Sequence, residues 1–405
     1  MIKRRNLLKG MLSIPLVGGL LKDSFASTIT NGTSALGRDY FKELGLRSYI
    51  NAAGTYTSLT GSLMRPEVID AINYATRQYV QLEDIQERVG ARISELLGCE
   101  DAQITAGAFS AMTLGLAGVL TGMDRGKAAQ IPNDLSGMKS EVILQKSHHI
   151  GYAHALRNTG VKIVEVETRK ELEKAINGKT AMLWYLNAHT ENSKISHEEF
   201  IEVGKKHGIP TMNDCAADVP PMENLWKYTN MGYDLVCFSG GKGIRGPQSA
   251  GLLLGKKKYI EAARISAPPN GDTVGRGMKV NKEEVLGMLV ALETYLTMDH
   301  EKEWKMWESQ IKLISDNAKS VKGVETEIHI PEVANHVPSL RITWDETMVK
   351  VKPGEIREAL RNGHPSIEVK GGAKTVDITT WMMNPGEERI VAERLKDLLS
   401  KAVDS

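Results

Sequence analysis

Cysteine is almost missing from this chain: Cys99, Cys215 and Cys237 are three in 405 residues, too few and too dispersed for a disulfide framework. Two of them, Cys215 and Cys237, sit in apolar strand-like runs where a buried thiol is the expectation. No Cys-x-x-Cys occurs, and His148 and His149 are adjacent, so they cannot chelate a metal from one helix face. No apolar run reaches the length of a bilayer-spanning helix, and no internal repeat or low-complexity segment is present. Strong charge of either sign is also lacking. The formal net charge is +1, with 41% hydrophobic and 25% charged residues, as in soluble globular chains.

What positive charge there is gathers at the start. Residues 1–26 carry Lys3, Arg4, Arg5, Lys9 and Lys22 against Asp23, a net of +4, which leaves about −3 for the remainder. That balance argues against a nucleic-acid surface. Lys3-Arg4-Arg5-Asn6-Leu7-Leu8-Lys9 is close to the twin-arginine export pattern, followed by a moderately apolar stretch from Gly10 to Leu21 and a small-residue site ending at Ala26. The expectation is a cleaved signal in residues 1–26 and a periplasmic or otherwise exported protein. The twin-arginine machinery carries folded cargo, which suits a chain that takes up a cofactor before export. A disordered basic tail is the alternative.

The most informative segment is Ser239-Gly240-Gly241-Lys242-Gly243, preceded by Tyr233-Asp234-Leu235-Val236-Cys237-Phe238 and followed by Arg245-Gly246-Pro247-Gln248. A strand delivers the chain into a glycine-rich turn, where the missing side chains let one amine approach a ligand. A phosphate-binding P-loop fails, because Gly243 follows Lys242 where Ser or Thr is required. A dinucleotide fingerprint, Gly241-x-Gly243-x-x-Gly246, fails on context: Gly251–Gly255 reads as the next strand and leaves no room for a crossover helix. A lysine-bearing pair of strands fits better, with a surface lysine in a loose turn as the alternative.

Upstream, residues 208–217 read as a buried strand ending in Asp214, the natural partner for a pyridinium nitrogen, with a helix N-cap as the other reading. Ala216 and Ala217 are small enough for a flat ring to lie against them. The segment 105–113, with Gly107, Ala108 and Ser110, joins a short strand to an apolar helix whose free N–H groups suit a phosphate, or simply allow close packing. With Ser239 as a second phosphate ligand, these pieces converge on pyridoxal 5′-phosphate. His148 or His149, the latter preferred, is a candidate for stacking on the ring or for acid–base work; two exposed histidines are the alternative. Arg276 and Lys279, in the polar loop 268–280, are candidates to clamp an acidic substrate, as are Asn51 and Thr55 to contact it.

The chain resembles the fold-type-I pyridoxal-phosphate enzymes, in the branch of bacterial selenocysteine synthase (L-seryl-tRNA selenium transferase) and D-glucosaminate-6-phosphate ammonia-lyase. The resemblance begins at residues 49–55, continues through 82–90, and is most specific at 234–242 with Gly246-Pro247-Gln248. It implies Lys242 as the Schiff-base residue, Asp214 on the pyridine nitrogen, Ser239 and the 107–110 region on the phosphate, and Gln248 within the cofactor-binding set. It implies a homo-oligomer, a dimer or larger, with the 82–90 stretch near the subunit interface.

Alternating helical and strand patterns predict an α/β fold with a mostly parallel sheet and a smaller C-terminal α+β part. The expected organisation is a large cofactor-binding domain over residues 27–285, a linking helix over 286–324 that continues one long helix capped by Asn281, and a small domain over 325–405. The resemblance favours α,β-elimination from a small amino acid or amino sugar acid, with Lys242 as base. A racemase or epimerase, an aminotransferase, and a catalytically silent binding protein of the same fold are the alternatives.

Overall fold

The computed structural model describes residues 37–403; the basic leader segment lies outside them. Residues 37–48 hold one helical turn, Tyr40–Glu43, capped by Asp39, whose side chain accepts from the Lys42 N–H at 3.0 Å. Everything that follows concerns the compact unit that begins at Tyr49.

Seven strands form its main sheet: β2 (Asp101–Thr105), β3 (Glu141–Gln145), β4 (Lys162–Val166), β5 (Thr180–Leu186), β6 (Thr211–Asp214), β7 (Leu235–Ser239) and β8 (Gly251–Gly255), after a short β1 (Tyr49–Asn51) that lies elsewhere. Their order is β2-β8-β7-β6-β5-β3-β4, all parallel except β8. The inner strands β5, β7 and β8 are apolar at nearly every position because both faces are covered, whereas the edge strand β4 carries exposed Lys162 and Glu165. Successive side chains point to opposite faces. Ile143, Leu183, Tyr185, Val236 and Phe238 therefore join one core, and their neighbours Leu144, Met182, Trp184, Leu235 and Cys237 join the other. Both cysteines of the sheet are free and buried, as expected.

A third core lies around the antiparallel sheet β12-β10-β9, made of β9 (Val324–His329), β10 (Ser339–Trp344) and β12 (Val376–Thr379). β1 pairs in parallel with β11 (Ser366–Glu368), so Ile50 and Ala52 pack into this third core and not into the main sheet. The 27–285 grouping did not anticipate that placement.

The capping box at Asn281 forms as predicted: its side chain accepts from the Glu284 N–H at 2.9 Å, and the Glu284 carboxylate accepts from the Asn281 N–H at 3.1 Å. The single long helix does not. It stops at Thr297, and a second helix, His300–Lys319, restarts under its own cap, Asp299, which accepts from the Lys302 N–H at 2.9 Å. Met298 is extended at the break. Among the described residues no helix is long and apolar enough to cross a membrane.

Candidate active site

The parallel strands bring their C-terminal ends to one edge, where α/β sheets hold ligands. Ser239, the last residue of β7, pairs with Gly251 of β8, which pairs on its other side with Thr105, the last residue of β2. Ser239 and the start of the helix Gly107–Thr121 are thus two strands apart, about 10 Å. That helix has no side-chain cap on its first turn, and Gly107 opens it at φ +78°, so backbone donors are offered at the sheet edge. Ala108 and Ser110, on its first turn, are buried.

The turn after Ser239 needs its glycines. A Cβ on Gly241 would lie 2.3 Å from the Gln248 Cα, and one on Gly243 would lie 2.1 Å from the Val219 carbonyl oxygen. The Gly240 N–H donates to the Ala250 carbonyl at 2.8 Å, and the Gly246 N–H to the Gly240 carbonyl at 2.9 Å. The loop closes on itself and presents Lys242 inward. Arg245, at φ +56°, donates from its guanidinium to the Trp381 carbonyl and ties this loop to the third-core side of the molecule.

Lys242 faces two buried acids. Asp214 is 3% exposed; its Oδ1 accepts the Ala216 N–H at 3.0 Å, and the Cys237 thiol points at the same oxygen from 3.7 Å. Burial raises its pKa, and the Ala216 N–H and the Lys242 charge pull it back. Asp218 is 2% exposed and accepts the Ala334 N–H at 3.0 Å; burial pushes its pKa up to about 6. Burial lowers the Lys242 pKa, while Asp214 and Asp218 oppose that shift. One amine and two carboxylates therefore share a site in which desolvation brings acid and base strengths toward each other.

Lys242 opens into a cavity of about 370 Å³ whose walls come from residues 53–57 and from the 329–341 and 370–381 segments, with Tyr152 at one side. Thr55 Oγ1 donates to Asn335 Oδ1 at 3.4 Å. Asn335 and Ala334 hold φ of +50° and +53°, uncommon for residues other than glycine. They are held there by the Asn335 N–H donating to the Ala217 carbonyl at 2.7 Å and the Ala334 N–H to Asp218. Such strain, of order 1–3 kcal/mol per residue, persists where surrounding contacts impose it, often at ligand sites. A larger groove of about 830 Å³ beside the helix Leu82–Leu97 is lined by Glu83, Glu87 and Glu100 and contains none of these groups.

Several residues singled out from sequence lie elsewhere. His148 is fully buried: its Nδ1 accepts the Leu186 N–H at 3.2 Å, its Nε2 meets Ser193 Oγ at 2.8 Å, and its ring stands edge-on to Tyr185. Burial lowers its pKa to about 3, so it is a neutral packing element. His149 pairs with Glu165. Neither histidine lines the cavity; Tyr152, three residues on, does. Asn51 is occupied in its own turn, its Oδ1 accepting from the Ala53 and Gly54 N–H groups at 3.1 and 2.9 Å. It positions Thr55 without reaching the cavity. Gln248 is exposed and donates to the Thr57 carbonyl at 3.3 Å, bracing the glycine turn. Arg276 and Lys279 are exposed and outside the cavity lining. Two further cations that line it, Arg341 and Lys370, were missed. Arg341 lies on the polar face of the predicted strand 339–344, with Ser339 and Thr343, so the alternation did not mark it.

The sequence pattern of the L-seryl-tRNA selenium transferase family matches residues 49–354. Among similar proteins, the D-glucosaminate-6-phosphate ammonia lyase of Salmonella typhimurium is 30% identical over 380 residues, covering 90% of this chain and 99% of that one. A 5′-C-glycyluridine monooxygenase-decarboxylase from Streptomyces is 27% identical, covering 89% and 92%. A solved structure of D-glucosaminate-6-phosphate ammonia-lyase superimposes with a TM-score of 0.80 at 28% identity, over 91% of this chain and all of that one. A serine palmitoyltransferase with pyridoxal phosphate, at 15% identity and a TM-score of 0.56, shares the fold.

Proposed function

Because the chain belongs to the L-seryl-tRNA selenium transferase family and is a pyridoxal-phosphate enzyme of fold type I, we propose that it is an exported lyase. It would remove a group from Cβ of a small amino acid or amino sugar acid. The observation that carries the reading is the buried Asp214–Asp218–Lys242 cluster at the sheet edge beside an uncapped helix start. The donor set suits the cofactor. A buried carboxylate whose basicity burial raises can hold a proton on a pyridine nitrogen, and Ser239 with the Gly107, Ala108 and Ser110 region offers donors to a phosphate.

When bound, pyridoxal phosphate supplies an electron sink that acidifies the C–H bond beside a substrate amine. The remaining work falls to this chain. Lys242 would hold the cofactor through its amine, and the same amine is the base that would take the proton from Cα; burial has brought its pKa down toward that task. The same ammonium can then protonate a group leaving Cβ. Asp214 would keep the ring nitrogen protonated throughout, and the Thr55–Asn335 contact braces the cavity wall beside the substrate. A racemase requires a second acid on the opposite face. His148, considered for that role, has both ring nitrogens engaged by Leu186 and Ser193, and His149 is paired with Glu165, so neither is a free acid in this structure.

The test is the absorbance of purified protein before and after borohydride, with mass spectrometry of the reduced peptide. A visible band, and a pyridoxyl group fixed on Lys242, is the expected result; a colourless protein without label when cofactor is supplied would overturn the assignment. Release of ammonia and a keto acid from a screened amino acid then distinguishes elimination from inversion.

Export belongs to the same reading and rests on Lys3-Arg4-Arg5 and the segment after it. Arg4→Lys combined with Arg5→Lys is expected to hold the protein in the cytoplasmic fraction; unchanged fractionation would refute twin-arginine export. We also read the protein as a homo-oligomer. The exposed Ile69, Tyr74, Tyr79 and Val80 offer apolar surface on one stretch of chain, and light scattering on the purified protein decides it.

A further inference from the structure

The wall of the Lys242 cavity that comes from the three-stranded sheet is ordered in rows. Ser339 of β10 stands opposite His329 of β9 on one side and Thr379 of β12 on the other, and all three line the cavity. Residues two positions apart along a strand share a face, so the next row on that face is Glu327, Arg341 and Asp377. There the guanidinium is shared, 3.4 Å from Glu327 and 3.5 Å from Asp377. The wall beside His329 therefore carries negative as well as positive charge.

His329 is the titratable group of this wall that the chemistry above leaves unused. Its Nδ1 is buried and has no hydrogen-bond partner. Its Nε2 has no partner among the described residues either but is not enclosed, which leaves it the nitrogen a ligand can reach. The other titratable side chains of the lining are accounted for. Tyr56 meets Lys370 Nζ at 2.6 Å, Arg341 and Asp377 pair with each other, Tyr152 is exposed, and Lys242 faces Asp214 and Asp218. A buried polar atom without a partner costs about 1–3 kcal/mol and calls for a reason. Imidazole is the side-chain group most often used to give or take a proton near neutrality.

We propose that His329 donates the proton to the group leaving Cβ, so that the sheet of the third core supplies a catalytic residue to a site otherwise built at the edge of the main sheet. The inference rests on the cavity being the substrate site of the lyase proposed above, and it adds a second proton-transfer group to that site. The Cβ–O bond breaks with its electron pair passing to oxygen, the proton moves from Nε2 to that oxygen, and water departs. Solvent returns a proton to the imidazole. Lys242 is then needed only at Cα.

A leaving group that needs no proton tests it. Initial rates of pyruvate release from serine, which loses water, and from β-chloroalanine, which loses chloride, are compared for the native holoenzyme and His329→Gln. The variant is expected to lose at least about a hundredfold on serine, the scale of a positioned acid, and less than about threefold on β-chloroalanine. Activity on the second substrate also shows that the variant folds and keeps its cofactor. Equal loss on both substrates, or near-native turnover of serine, overturns the assignment. Inversion of serine without pyruvate release does so as well, because it would place His329 at Cα.

A readout without cofactor separates this inference from the lyase reading. In cofactor-free protein carrying isotopically labelled histidine, the His329 ring nitrogens are identified by their absence in His329→Gln. Their resonances should shift on adding β-hydroxypropionate and much less on adding propionate, which lacks the oxygen at Cβ. Equal shifts, or none, overturn the contact. A native enzyme that releases pyruvate from neither amino acid refutes the lyase, and the reach of His329 to the β-oxygen is then decided by the nitrogen shifts alone.

Discussion

Lys242→Ala is expected to reduce turnover by at least about a thousandfold, the scale of losing a positioned acid–base group, with further loss from weaker cofactor retention. Steady-state ammonia or keto-acid release measures it. A variant retaining a tenth of native activity would remove Lys242 from the mechanism. The substitution carries a second signature in stability. Asp218, with its pKa raised to about 6 by burial, favours its neutral form in the folded protein. A carboxyl group raised in this way contributes stability that is complete below its unfolded pKa of about 3.9 and is lost as pH rises through about 6. Removing the Lys242 charge pushes Asp214 and Asp218 higher still, so the loss grows on the alkaline side. Without cofactor, the stability of the variant relative to the native protein should fall by about 1–3 kcal/mol between pH 5 and pH 8, the scale of a unit-charge interaction in a partly screened site, on top of a pH-independent offset from removing a desolvated ammonium. Chemical denaturation at the two pH values reads the difference; a uniform offset would mean that Lys242 does not interact with the two acids.

Asp214→Asn should lower turnover by roughly a hundredfold to ten-thousandfold while preserving the fold, since an amide can still accept the Ala216 N–H but cannot hold a proton on a ring nitrogen. The visible spectrum of the variant with cofactor should differ from native in position or pH response. Asp214→Ala should lose activity similarly and in addition lose about 1 kcal/mol of stability with the hydrogen bond to Ala216. Near-native activity of the Asn variant would move the nitrogen-binding role to another group, with Asp218 the next buried carboxylate to test.

The local chemistry of this site was readable because it is written in short segments. A glycine run that lets one lysine approach a ligand, an apolar strand ending in an acid, and a small-residue helix start are each contiguous, and parallel topology then lines up the strand ends that hold Asp214, Ser239 and Thr105. The cavity wall was not readable for the converse reason. Thr55 meets Asn335 across 280 positions and Tyr56 meets Lys370 across 314, contacts that no periodicity announces. His148 failed on burial. Two polar rings after a strand suggest a ligand-facing pair, but the close approach of Tyr185, Leu186 and Ser193 consumes both nitrogens of the first. The break at Met298 was hidden because apolar spacing continues on both sides, and the stop is set by Asp299 capping a new helix.

The pairing of β1 with β11 has a consequence for the order of events during synthesis. Tyr49 must wait for Ser366, and Thr55 for Asn335, before either has its partner. At roughly 5–20 residues per second, the first strand leaves the ribosome about 15–60 s before the segment it pairs with. The seven-stranded sheet can be complete by Gly255, whereas the chamber around Lys242 closes only after Trp381 has emerged. A chain truncated between Tyr295 and Trp381 is therefore expected to keep the sheet with its covering helices but an open, unfinished site, so competence arrives late in translation.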